Sequence, residues 1–244
     1  MLNAKAIIQY DGTNCQGWQI QANGRTIQGE LTRVVSLLDH RHVNIHGAGR
    51  TDSGVHALGQ VASFAIERDV TPRWLRDAIN GNLDRDIRVK QVEFVDPGFH
   101  ARLSAKQKTY EYRIWTGAVV SPFLYSYVYH CRASLNIDAM RPAADALTGE
   151  HDFSAFTGIG SLVESTVRTL KRLSIEPVEE TLVVTAQANG FLRYMVRTIV
   201  GTLLEVGRGD RTVESVAECL ASRERGLAGQ TAPACGLTLM RVDY

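Results

Sequence analysis

The order of segments along the chain is the feature that most restricts its fold. Segments with the two-residue alternation of a half-buried strand and segments with helical spacing follow one another as strand, helix, strand, strand, helix, strand. This order occurs twice, the second time with an extra helix, and it is typical of the split βαβ, or ferredoxin-like, arrangement. We predict an α+β fold of two ferredoxin-like halves, with mostly antiparallel sheets packed side by side and an active cleft between them.

The first half is predicted to contain two helices with recognisable starts. Thr26 stands before helical spacing that runs from Ile27 to Leu38, and Thr71-Pro72 is a typical helix beginning. The predicted strands of this half are 4–10, 43–45, 58–66 and 87–95.

The second half repeats the order more loosely. A strand pair is predicted to turn at residues 176–180, Pro142 weakens the first helix unless it lies in the first turn, and Thr212 or Asp210 is expected to cap the last helix. The predicted strands are 109–115, 167–175, 181–188 and 237–243, and the predicted helices are 138–147, 194–206 and 212–221. No Ser/Gly-rich linker separates the halves, so we place two tightly packed domains at 1–104 and 105–244.

Composition excludes several classes of protein. The chain has 244 residues, 44% hydrophobic and 22% charged, which is ordinary for a globular protein and argues against disorder. No apolar run reaches the roughly 18 residues of a membrane span, and the start does not resemble a secretory signal. Four scattered cysteines form no C-x-x-C pair, so we expect no zinc site, no disulfide framework and a cytoplasmic location.

Net charge is close to zero, yet the basic residues are biased. The formal charge is +1, and 22 of the 27 basic residues are Arg. The planar guanidinium of Arg can donate two parallel hydrogen bonds to one phosphate. Any nucleic-acid surface must come from folding a few charges onto one face. The window 100–113 has four basic residues against Glu111, which fits a solvated strand face and a phosphate track equally well.

The most informative stretch is glycine-rich and runs from Gly49 to Ala57. It places one carboxylate, Asp52, two residues from Arg50, among glycines that permit tight turns and close approach to a ligand. No Lys follows the glycines, so the stretch is not a phosphate loop, and it is not a dinucleotide fingerprint. On the residues alone, the favoured interpretation of Asp52 is a turn or helix cap.

Ordered blocks along nearly the whole chain resemble the TruA family of tRNA pseudouridine synthases. These blocks are Tyr10-Asp11-Gly12-Thr13, Gly17-Trp18-Gln19, Arg25-Thr26-Ile27-Gln28, Gly47 through Phe64, Phe99-His100-Ala101-Arg102, Lys108-Thr109-Tyr110-Glu111-Tyr112, His151-Asp152-Phe153, Gly190-Phe191-Leu192, Met195-Val196-Arg197, Ala232-Pro233 and Gly236-Leu237.

The resemblance implies an isomerase that converts uridine to pseudouridine at positions 38–40 of the tRNA anticodon stem-loop, without cofactor or metal. It gives Asp52 the role of nucleophile, Arg50 that of filling the space left by the flipped base, and Tyr110 that of stacking on uracil. Arg197 is implied as the partner of the carboxylate, and Leu237 as a side chain under the base. The family resemblance also implies a homodimer that binds the tRNA anticodon arm.

Other interpretations stay open at this level. Without the family, Arg197 is a helix-surface residue, Leu237 is a core residue, and Tyr110 or Tyr112 is a core strand residue. A non-catalytic RNA-binding module and a hydrolase pairing Asp52 with a second carboxylate such as Asp11 are the competing functions. We assign no catalytic role to His56 or to His151, which we expect to pin a turn.

Overall fold

A computed structural model describes residues 1–158, 160 and 163–244 of the chain. The chain divides into two compact units, one formed by Met1–Lys106 with Thr238–Tyr244 and the other by Gln107–Leu237. Each unit combines helices with mostly antiparallel strand pairing, which confirms the predicted α+β class. The domain boundary after residue 104 stays a prediction.

The first unit is built around a central strand. Its elements are β1 (Leu2–Tyr10), α1 (Ile27–Asp39), β2 (His46–Gly47), β3 (His56–Ile66), α2 (Pro72–Asn82) and β4 (Ile87–Val95). β1 lies antiparallel between β3 and β4, and β2 adds to β3, also antiparallel. The last strand of the chain, β10 (Leu237–Asp243), pairs in parallel with the beginning of β3 through Thr238 and Leu239.

Local sequence accounts for these elements. Alternate residues of β1 are buried, as expected for a strand with one face on the core. The Thr26 hydroxyl accepts a hydrogen bond of 3.2 Å from the Gly29 amide, and Thr71 does the same for Trp74. Both helix starts are therefore confirmed, together with the side-chain caps that the sequence predicts.

The short strand predicted at 43–45 is wrong. Val43 and Ile45 are buried, but side chains satisfy the backbone of this segment. The Val43 amide donates to the Ser36 hydroxyl, and the Ile45 carbonyl accepts from the Gln28 amide group. The strand that pairs with β3 comes one residue later, at His46–Gly47.

The second unit is also built from strands and helices. Its elements are β5 (Gln107–Trp115), β6 (Tyr129–His130), α3 (Ile137–Asp145), β7 (Gly149–Asp152), β8 (Val167–Val178), β9 (Thr181–Ala188), α4 (Met195–Arg208) and α5 (Glu214–Ser222). The strand order is β5-β9-β8-β7 with antiparallel neighbours, and β6 pairs in parallel with β5. The short strands β6 and β7 were not predicted.

Three details of this unit differ from the expectations. The hairpin turns at Glu179 and Glu180 alone, because Pro177 pairs with Leu182 inside the ladder and Glu179 adopts the left-handed conformation. Pro142 lies in the second turn of α3, not the first, and the helix persists from its Asn136 cap. The last helix begins two residues late, although the Thr212 hydroxyl still accepts from the Ser215 amide at 3.3 Å.

Helix α4 forms much of the core of the second unit. Eleven of its 14 residues are buried, including Thr198 and Thr202. The Thr202 hydroxyl donates to the Thr198 carbonyl at 2.9 Å, which satisfies this polar group inside the core. Within the described residues, no helix combines the length and apolar character needed to cross a bilayer.

Candidate active site

The connection from β2 to β3, residues 48–55, carries Asp52 and is here called the Asp52 loop. Its backbone is anchored at several points. The Gly49 carbonyl accepts from the Gln60 amide group at 3.0 Å, and the Thr51 carbonyl accepts from the Trp18 amide at 3.0 Å. The Val55 amide closes a turn on the Asp52 carbonyl at 3.1 Å. The loop therefore has one well-defined backbone path around the carboxylate.

A buried polar cluster supports the loop from inside the first unit. The hydroxyls of Tyr10 and Thr51 share a hydrogen bond of 2.8 Å, and Gln60 donates to the Tyr10 oxygen at 3.3 Å. Burial raises the pKa of Tyr10 to about 12, so the phenol stays neutral and keeps its proton for this cluster. The sequence signal for the cluster is weak: Gln60 is one of three buried polar residues in β3, beside His56 and Ser63.

Gly17 makes room for the Asp52 loop. It has φ of +81°, and a β-carbon at this position would come within 2.5 Å of the Thr51 carbonyl oxygen. Only glycine fits both requirements, because other residues rarely adopt this backbone conformation and would collide with the loop. The N-terminal motif and the glycine-rich stretch, which are separate in sequence, are therefore one packed structure.

Asp52 and Arg50 lie in this loop with different exposure. Asp52 is half-buried and Arg50 is exposed, while Thr51 between them is buried. The hydroxyl of Ser53, the next residue, donates to the Cys15 carbonyl at 3.2 Å. The loop presents one carboxylate and one guanidinium from a backbone that is fixed on both sides.

Tyr110 and Tyr112 lie on β5 in the second unit. Tyr112 is fully buried and donates its hydroxyl to the Pro233 carbonyl at 2.8 Å, so it is a core residue. Tyr110 is 6% exposed, and its ring meets that of Phe191 edge to face, with centroids 5.2 Å apart. Phe191 therefore fixes the plane of the Tyr110 ring.

Arg197 and Leu237 also belong to the second unit. Arg197 lies in the first turn of α4, is half-buried, and donates from Nε to the Ala232 carbonyl at 2.7 Å. The Ala232 amide donates back to the backbone carbonyl of Arg197 at 3.0 Å, so one bond holds the side chain and the other holds the backbone of this residue. Leu237 is 5% exposed at the beginning of β10.

The remaining polar residues of the motifs have local roles. Asp11 accepts from the Thr13 amide at 3.0 Å, and the Gly12 amide donates to His56 Nδ1 at 3.1 Å. His151 Nε2 contacts the Thr148 carbonyl at 3.0 Å, across the bend before β7. Arg113 of the basic window pairs with Glu111 at 3.4 Å. In the described part of the chain, no group of three or more His, Cys, Asp or Glu is arranged to hold a metal ion.

Comparison with known proteins gives a consistent result. A family model described as tRNA pseudouridine synthase matches residues 6–103 and 143–244. "tRNA pseudouridine synthase A" of Limosilactobacillus reuteri is 43% identical over all of this chain and 97% of its own length. The proteins of that name from Thermoanaerobacter sp. and Brevibacillus brevis are 44% and 41% identical, each over the full length of both chains.

Proposed function

Since the chain belongs to the TruA group of tRNA pseudouridine synthases, it is an isomerase that acts on tRNA, and we propose how it does so. The proposed targets are uridines at positions 38–40 of the anticodon stem-loop, and the proposed nucleophile is Asp52. Two ferredoxin-like halves are proposed to supply the groups that act on one uridine. We also propose a cytoplasmic location, which suits four free thiols.

The observation that carries the proposal is the way the Asp52 loop is built. Asp52 is half-buried while Thr51 before it and Val55 after it are buried and hydrogen bonded. A nucleophile gains most from a fixed position close to the reacting atom. A turn-capping residue would not require a buried cluster of Tyr10, Thr51 and Gln60 to support it.

The reaction is balanced without any added group. The bond between C1′ of the ribose and N1 of uracil breaks, the base turns, and C5 bonds to C1′. One proton leaves C5 and one proton is gained at N1. Product and substrate have the same composition, so only a carboxylate that supports the cleaved sugar or base is required. Asp52 takes this role in its ionised form.

The target base must leave the RNA stack before Asp52 can reach it, and unstacking costs a few kcal/mol. We assign Arg50, the exposed guanidinium of the same loop, to the space left by the base. Tyr110 is assigned to stacking on the extruded uracil, which is worth about 1–3 kcal/mol. Its ring is already oriented by Phe191, so little conformational freedom is lost on binding.

Arg197 and Leu237 complete the proposed site. The Nε bond of Arg197 to the Ala232 carbonyl aims the rest of the guanidinium in one direction, as a partner for the carboxylate requires. Leu237 is buried at the beginning of β10, where it is proposed to pack under the base.

We propose that two copies share one tRNA. The formal charge of +1 leaves a single chain with little net attraction for a large polyanion, and two copies together double the available surface. Light scattering over a range of protein concentrations tests this proposal. A mass of one chain at every concentration would contradict it.

The test of the activity is pseudouridine mapping in an unmodified tRNA transcript. The wild-type protein should convert uridines at positions 38–40, and Asp52→Asn should fold and bind the transcript but form no product. Asp69→Asn, which changes an exposed aspartate of the same unit, is the matched control and should convert them normally. Release of free uracil would instead indicate the hydrolase, and turnover by Asp52→Asn would reject its role as nucleophile.

A further inference from the structure

Tyr194 occupies a strained position at the beginning of α4. It is the N-cap residue of this helix, with φ of 63°, and its side chain caps no backbone amide. A bulky residue is uncommon in the left-handed region, where glycine or asparagine is favoured. Strain of this kind persists where surrounding contacts impose it, and it is concentrated at ligand-binding sites.

The contacts that hold Tyr194 come from two guanidinium groups. The Arg193 carbon Cζ lies 4.6 Å from the centre of the Tyr194 ring, and that of Arg197 lies 5.3 Å from it. Arg193 also donates from Nη2 to the Tyr194 hydroxyl oxygen at 2.8 Å. The ring therefore orders the Arg193 side chain through two separate contacts, on its π system and on its hydroxyl.

The backbone at Gly158 leaves space for the Tyr194 ring. A β-carbon on Gly158 would lie 2.7 Å from Cδ2 of Tyr194, so a larger residue there would displace the ring. The Gly158 amide donates to the Arg193 carbonyl at 2.9 Å, which fixes the backbone that carries the guanidinium. Both the backbone and the side chain of Arg193 are thus held before any ligand arrives.

The positive charge of Arg193 faces solvent. It is exposed, and it forms no ion pair with a carboxylate among residues 1–158, 160 and 163–244. Its contact with Tyr194 uses one of the five N–H donors of a guanidinium. A cation that is ordered, exposed and without an acidic partner suits an anion supplied from outside.

We propose that Arg193, positioned by Tyr194, binds a phosphodiester group of the tRNA backbone next to the reacting uridine. The inference rests on the proposed function, because Arg197, assigned there to the carboxylate, touches the same ring. The two distances to the ring place the Arg193 and Arg197 guanidinium carbons within about 10 Å of each other. Arg193 is therefore assigned to binding, and Tyr194 is a positioning residue.

The test separates binding from catalysis. Arg193→Gln should raise the KM for tRNA about tenfold with kcat unchanged, and it should lower the slope of log Kd against log salt by about 0.7–0.9, the effect of one phosphate contact. Tyr194→Asn, which removes the ring but tolerates the left-handed backbone, should reproduce both effects. Tyr194→Phe keeps the ring and should retain most of the wild-type affinity for tRNA. Arg132→Gln, at another exposed arginine of this unit, is the control and should leave KM and the salt slope unchanged.

The double variant with Arg193→Gln and Tyr194→Asn should bind no more weakly than either single variant, because Tyr194 acts through Arg193. Additive losses would overturn the positioning role, and a wild-type KM and salt slope in Arg193→Gln would overturn the phosphate contact. The salt slope is measured by binding alone. It therefore reports on the contact even if the wild-type protein forms no pseudouridine at positions 38–40, an outcome that would reject the proposed function instead.

Discussion

The hydroxyls of Tyr10 and Thr51 lie 2.8 Å apart inside the first unit, and Thr51 directly precedes Asp52 in the chain. Gln60 contacts both the Tyr10 oxygen and the Gly49 carbonyl, so the cluster reaches the Asp52 loop at two points. All three side chains are buried, which prevents water from replacing a lost partner. The position of the carboxylate thus depends on polar groups that are themselves hidden from any substrate.

Tyr10→Phe removes the phenolic oxygen and keeps the ring. It leaves Thr51 and Gln60 short of a partner, which should lower the free energy of unfolding by about 1–3 kcal/mol. Because the loop also loses an anchor, kcat for pseudouridine formation should fall about tenfold or more, since small misplacements of a reacting group are costly. Urea unfolding and single-turnover kinetics measure the two effects.

Tyr244→Phe is the matched control for this substitution. The Tyr244 hydroxyl donates to the Ala101 carbonyl at 2.9 Å in the same unit, away from the Asp52 loop. The Tyr244→Phe variant should lose a similar free energy of unfolding and keep the wild-type kcat. A normal kcat in Tyr10→Phe would show that the cluster serves stability alone.

Gly17→Ala should damage the site through the backbone. The new β-carbon would meet the Thr51 carbonyl oxygen at 2.5 Å and would hold alanine at φ of +81°. We expect a loss of roughly 1–3 kcal/mol of stability from this strain and a large fall in kcat as the loop shifts. Gly81→Ala, in α2 with open space around the new carbon, is the control. It should stabilise the protein by about 0.5–1 kcal/mol, and equal effects of the two substitutions would contradict the argument.

The sequence predicted the helices and strands that depend on interactions between residues close together in the chain. The Thr26 and Thr71 caps, the strand alternation of β1 and the apolar stripe of α4 all follow from interactions within a few residues. The strand predicted at 43–45 failed because Ser36 and Gln28 take up its backbone bonds, and these contacts span 7 and 17 residues. Sequence periodicity carries no information about such distant side chains.

Only some residues of the candidate site could be predicted from the sequence. The motif that contains Asp52 can be recognised from the sequence, and Arg50 comes with it. The supports cannot be recognised, since Tyr10 and Gln60 look like ordinary strand residues and meet only through the pairing of β1 with β3. Tyr194 was missed for a different reason: its left-handed backbone and its contacts with Arg193 and Arg197 leave no trace in helical periodicity.

Stability in acid should depend on Asp86. Arg25 donates to its two carboxylate oxygens, and this hydrogen bonding lowers the pKa of Asp86 below its ordinary value. The unfolded chain then binds this proton more readily than the folded one, so the pair stabilises the protein above about pH 4 and the effect is lost as pH falls below that value.

Asp86→Asn should therefore lower the free energy of unfolding at pH 7 by about 0.5–1 kcal/mol, a modest effect because both side chains are partly exposed. The difference from wild type should shrink as pH falls from 5 to 3, as measured by urea unfolding at each pH. Asp69→Asn should follow the wild-type curve throughout. A difference that stays constant with pH would mean that Asp86 acts through packing and not through its charge.

Arg197→Lys tests whether geometry or charge matters at the beginning of α4. Lysine keeps the positive charge but lacks the Nε–H group that donates to the Ala232 carbonyl at 2.7 Å, and its point charge does not reproduce a planar fork. A charge-assisted hydrogen bond contributes about 1.5–3 kcal/mol, so we expect kcat to fall about tenfold to a hundredfold. The KM for tRNA should change little, because the net charge is the same. Arg141→Lys, at an exposed arginine of α3, is the control and should retain full activity. If Arg197→Lys retains the wild-type kcat, charge alone is sufficient at this position and the bond to Ala232 has no part in the role proposed for Arg197.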